Sequence, residues 1–166
     1  MTRFVLIVHV LAVILTIGPI SIAASMFPPA MRAAQTNLDI PGRTAVPVVL
    51  HRITRVYAVI GIVVPVFGVV TGAMMGVLAS GWLIASILLT VIATAVLVAA
   101  ILPTQRRALD AIESSSSVTA EASLALPEGL SRRLAMYTGM FNLVWVVVVA
   151  LMIYRPGSTI GEPPRV

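Results

Sequence analysis

The sequence predicts an all-α membrane protein, a bundle of four transmembrane helices with a tight hairpin between the second and third. Two features of the chain carry that prediction. Its 166 residues are 59% hydrophobic and 10% charged, whereas soluble domains carry about a quarter charged residues. Four apolar runs, each long enough to cross a hydrocarbon core of about 30 Å at about 1.5 Å per residue, are separated by polar stretches.

The charges reinforce this reading. All 11 basic residues are arginine, and the net charge of +5 could indicate a nucleic-acid partner. The arginines lie between or at the ends of the apolar runs, so they are topology signals and not a phosphate-binding stripe. Asp39, Asp110, Glu113, Glu121, Glu128 and Glu162 all fall outside the runs, which leaves a proton or sodium relay without its usual buried carboxylate. The absence of cysteine excludes disulfides, thiolate metal sites and thiol catalysis.

The first helix is expected over residues 4–27. This run exceeds the roughly 7–15 apolar residues of a secretory signal, so it reads as a retained helix. Pro19 should kink it, and Pro28-Pro29 should end it. Residues 28–50 then form a polar connection, with Pro41-Gly42 and Pro47 as breakers.

The second helix is expected over 51–79, with a kink at Pro65, and the third over 82–113, with Pro103 marking its exit from the membrane. Between them lies little more than Ser80-Gly81, hence the tight hairpin. Arg106 and Asp110 at an i,i+4 spacing keep the third helix going into water. Ser114 to Ser117 open a flexible connection over 114–129, the fourth helix covers 130–154, and 155–166 is a polar tail.

Orientation follows from the arginines near the span ends. Arg32, Arg43, Arg52, Arg55, Arg106, Arg107, Arg132 and Arg133 flank the two long connections, against Arg3, Arg155 and Arg165 on the other side. Both connections are therefore expected in the cytoplasm and both termini outside.

Helices in lipid gain little from apolar burial against each other, so close approach and interhelical hydrogen bonds must join them. Gly68, Gly72 and Gly76 form a seam on the second helix, and Ser86, Thr90 and Thr94 repeat at the same step on the third. An antiparallel hairpin sets Gly76 level with Ser86, Gly72 with Thr90 and Gly68 with Thr94. The seam is expected to close the hairpin, the alternative being contact with a partner protein. Asn142, inside the fourth span, is expected to bridge to a neighbouring helix. Tyr57, Trp82 and Tyr154 read as interfacial anchors, and Arg52 and Arg55 as headgroup contacts in the lipid bilayer.

Chemistry has few candidates. His51 is placed at the inner end of the second helix and His9 near the outer end of the first, about 26 Å from that helix's inner end, so one haem cannot use both. His9 with Met75 and Met152 falls in the outer half of the membrane, a ligand set suited to Cu(I) or to a His/Met haem, although methionine is also ordinary packing filler. No phosphate loop, nucleophile elbow, HExxH or Ser/His/Asp arrangement is present, so no catalytic residue and no resident cofactor is expected.

The early VHVLAVILTIGP, the arginine-rich entry to the second helix, GVVTG, a tryptophan opening the third helix and the closing LMIYRPG resemble a bacterial family of four-helix integral membrane proteins of unknown function. That family is distantly similar to copper-resistance protein D and HemJ-type membrane proteins. The resemblance implies a bacterial plasma-membrane location and matches His9 to the early histidine of those proteins. This chain lacks the buried lysine and carboxylates of the HemJ type, so the resemblance does not carry haem-oxidation chemistry over to it. The sequence thus points first to a non-catalytic accessory or scaffold subunit among other membrane protein subunits, with a respiratory assembly as candidate. The alternative is a copper- or haem-handling membrane protein.

Overall fold

A computed structural model describes residues 2–36, 40–115 and 128–156, and among these there are helices and no strand. The helices are α1 (Thr2–Thr36), α2 (Ala45–Ile60), α3 (Val63–Met74), α4 (Gly81–Val96), α5 (Leu102–Ser115) and α6 (Glu128–Tyr154), with a π-helical turn over Leu97–Ile101 between α4 and α5. They make four stretches long and apolar enough to span a membrane, namely Arg3–Thr36, Ala45–Met74, Gly81–Glu113 and Gly129–Tyr154. Of the connection expected over 114–129, residues 116–127 lie outside the described residues, while 114–115 belong to α5 and 128–129 to α6; of the tail expected over 155–166, residues 157–166 lie outside them.

Proline sets the local geometry, though not always as the sequence predicts. Pro28 and Pro29 lie inside α1 instead of ending it. A proline in a helix costs about 3 kcal/mol or more, because it removes a donor and crowds the carbonyl four residues back. Tertiary packing offsets that cost here, since Phe27, Pro28, Met31 and Ala34 are all buried. The polar connection expected at 28–50 is accordingly short, because α1 reaches Thr36 and α2 begins at Ala45.

Pro65 breaks the second span four residues upstream, at Gly61 and Ile62, where its missing N–H leaves the Gly61 carbonyl without a helical partner. Val64 N–H donates to that carbonyl instead at 3.1 Å, and Ile62 N–H donates to the Val59 carbonyl at 3.3 Å. A Cβ at Gly61 would lie 3.0 Å from the Tyr57 carbonyl oxygen, a close approach that glycine avoids. Pro103 does not end the third span. The π turn before it absorbs the missing donor, with Leu102 N–H reaching back to the Leu97 carbonyl.

The second span stops at Met74, short of the expected 79. Gly76 has φ +68°, Val77 N–H donates to the Gly72 carbonyl at 3.1 Å and Gly76 N–H to the Ala73 carbonyl at 3.1 Å. This paired closure is the Schellman motif, which requires a left-handed residue just past the helix and favours glycine there.

Packing is asymmetric. α1 lies against α2, α3 and α6, and α4 lies against α6, while α3 and α4 touch only slightly although a short turn joins them. At about 1.5 Å per residue, α1 and the stretch from α4 through α5 are each about 52 Å long, some 20 Å more than the hydrocarbon core. The excess lies on the arginine-rich side, where α1, α5 and the start of α6 close around Met31, Ala34, Ala108, Ile112 and Leu134. This packed helical platform carries Arg32, Arg106, Arg107, Arg132 and Arg133, all exposed.

Candidate functional site

The glycine seam does not meet the third span as the sequence register predicts. A Cβ at Gly68 would lie 3.0 Å from the Cε1 of His9, so Gly68 makes room for the α1 imidazole and not for Thr94. A Cβ at Gly72 would lie 2.8 Å from a methyl of Leu83, so Gly72 packs against the third span near its start and not at Thr90. A Cβ at Gly76 would meet nothing within 4 Å, since this residue caps the helix. The hydroxyls of Ser86, Thr90 and Thr94 turn back on their own helix, donating to the Trp82, Ser86 and Thr90 carbonyls at 2.8 Å each. Joining helices falls elsewhere to Asn142, whose Nδ2 donates to Ser25 Oγ of α1 at 3.3 Å.

Because α3 and α4 stand apart, a cleft of about 680 Å³ opens between the second and third spans. Ile17, Ile20, Phe141 and Trp145 form its floor. Ala58 and Pro65 line one wall, and Thr94 and Val98 the other. The Gly61 break and the Leu97–Ile101 π turn border it on opposite sides. Among the described residues lining the cleft, Arg55 alone is charged.

Toward the opposite membrane face, a smaller cavity of about 80 Å³ shares Pro65, Thr90 and Trp145 with the cleft and is lined also by His9 and Met152. His9 is 6% exposed, and its ring hydrogen-bonds the Val64 backbone while Nδ1 has no partner. Trp145 is 8% exposed and its Nε1–H has no partner either. Met152 therefore does meet His9 across one cavity. Met75 does not line it, because it follows the last residue of α3 at the turn. The cavity is far smaller than a macrocycle needs, so haem does not fit there. The described residues contain no group of three or more His, Cys, Asp or Glu able to hold a metal.

His51 lies on the arginine-rich side, its Nδ1 3.0 Å from Gln105 Oε1, a contact that requires a proton on Nδ1. Gln105 is fully buried, and its Nε2 has no partner. Nothing in the sequence marks this residue, because Gln105 follows Pro103 in a stretch that looks water-exposed. Burial there depends on α5 packing against α2 and α6.

Of the aromatic anchors, Tyr154 is 81% exposed at the end of α6, whereas Tyr57 packs against the core. Trp82 is buried at 8% exposure, contrary to an anchor in the headgroup layer. It opens α4 beneath Arg155, whose guanidinium carbon lies 5.7 Å from the ring centroid. Arg52 and Arg55 are both exposed. The chain matches no family model, no curated protein and no solved structure.

Proposed function

We propose that the chain is a non-catalytic accessory or scaffold subunit of a bacterial plasma-membrane complex, docked through the platform on its arginine-rich, cytoplasmic side, with both termini outside. The observation that carries this reading is the platform itself. It extends the hydrophobic core of the spans past the length that a membrane needs, and its five exposed arginines outnumber the exposed Asp110 and Glu113 on α5, which complements a partner with an acidic surface. Arg32 and Arg132 come from different helices and line one open pocket of about 700 Å³ between α1 and α6.

Purification in mild detergent followed by mass spectrometry tests the reading, with respiratory assemblies as the first to search. Stoichiometric membrane subunits should co-purify, and the Arg32→Glu/Arg132→Glu variant should lose them while remaining folded and inserted. A clean monomer, or a complex indifferent to the charge reversal, contradicts it.

A second reading, Cu(I) handling, is favoured by the shared His9–Met152 cavity and the unpartnered Nδ1. Imidazole and thioether would hold the ion, with no further step assigned. Copper analysis of the purified protein and of His9→Ala decides it. Retention by the native chain and loss in the variant support the reading, and absence of copper from both after loading with Cu(I) removes it.

A further inference from the structure

The depth of the cleft between the second and third spans matches one leaflet of a bilayer. Arg55 lies 19 residues from Met74, about 29 Å along the span, which sets it at the hydrocarbon boundary of the arginine-rich side. Leu102, which also lines the cleft, lies about 31 Å from the start of α4. At the other end, Thr90 and Trp145 each lie about 14 Å from the opposite ends of their spans, near the bilayer midplane. The cleft thus runs from a cationic headgroup level to mid-membrane, where it shares Pro65, Thr90 and Trp145 with the 80 Å³ cavity.

We infer that this cleft seats one net-anionic phospholipid of the arginine-side leaflet, its phosphate, with no headgroup cation to neutralise it, at Arg55 and an acyl chain lying between the two spans as far as Trp145. Its volume of about 680 Å³ falls within the roughly 300–1,000 Å³ range of ligand pockets. A partner's transmembrane helix, about 10–12 Å across, needs a groove through the whole membrane, and this one stops at the midplane. Arg55 is exposed, and no carboxylate is among the described residues lining the cleft with it, so a phosphate is its complementary occupant.

The chain has two tryptophans, so Trp82→Phe leaves Trp145 as a single reporter in the cleft floor. This variant is reconstituted in phosphatidylcholine vesicles carrying a small, fixed fraction of lipid brominated near the acyl terminus, either phosphatidylglycerol or phosphatidylcholine. Brominated phosphatidylglycerol should quench Trp145 with about fivefold higher apparent affinity, the contribution of one arginine near a membrane surface. Arg55→Gln should abolish that preference, and Ala95→Phe, which fills the cleft, should lower quenching by both lipids. Equal quenching by the two lipids, or a preference that survives Arg55→Gln, overturns the inference. Loss of the preference on adding millimolar inorganic phosphate at constant ionic strength would assign Arg55 to a soluble anion and also overturn it. Native mass spectrometry of the unaltered chain provides a second measurement that needs no variant. One phosphatidylglycerol retained per chain is expected, and none retained contradicts the inference.

Discussion

Around Met31, Ala108 and Leu134 three helices close on one another, whereas a few turns away the second and third spans stand apart and leave a cleft. Solvent explains the difference. On the arginine-rich side the helices project into water, where burying apolar side chains drives association. Inside hydrocarbon that drive is absent and only fit and hydrogen bonds join helices. A break at Gly61 and a π turn before Pro103 therefore go uncorrected, because lipid can fill the space between the spans.

Removing packing from the platform should give the largest effect. Phe27 is fully buried at its base, and Phe27→Ala should cost about 3–5 kcal/mol, seen as a lowered unfolding temperature by circular dichroism in detergent. A loss below 1 kcal/mol would mean that this region is not the sealed part. Next comes the contact of α3 with α1. Gly68→Ala should cost about 1–3 kcal/mol by overpacking, since the new Cβ would sit 3.0 Å from the His9 ring. His9→Ala should restore most of it, and additive losses in that double-mutant cycle would refute the contact.

Gly76 offers a contrast within the same predicted seam. Its Cβ would meet nothing, yet its φ is +68°, so Gly76→Ala should cost about 1–2 kcal/mol through backbone conformation alone, with no partner residue able to rescue it. The smallest effect should come from the hydrogen bond between helices. Asn142→Ala removes the 3.3 Å contact to Ser25, and such bonds in membranes average about 0.6 kcal/mol. A loss above 2 kcal/mol would give Asn142 a larger role than joining α6 to α1.

The class of the fold and its four spans were legible in the sequence, because runs without charge of this length have few alternatives to crossing a membrane. Helix partnership was not legible. Small residues at a four-residue step show that something approaches closely, but not which helix, and here Gly68 receives α1 while Gly76 serves the backbone. Pro28 and Pro29 read as a helix end because their local cost is evident, whereas the burial of Phe27 and Met31 that offsets it exists only in the folded chain. Gln105 was hidden for the same reason. His9 and Met152 were placed at a common depth by helical rise alone, and they do share a cavity. Met75 had the same depth but does not line that cavity, since it follows the last residue of α3, and the sequence does not show that the helix ends there.

Thr94 distinguishes the open arrangement from the sealed one most directly. A hairpin zipped along its glycine seam would bury it against Gly68, whereas in the structure it is exposed on the wall of the cleft. The chain has no cysteine, so Thr94→Cys can be spin-labelled alone and its collision rate with oxygen measured in a bilayer. Accessibility equal to that of a label at lipid-facing Val146 is predicted. Shielding as complete as at buried Ala93 would show that the second and third spans close on each other and that no cleft separates them.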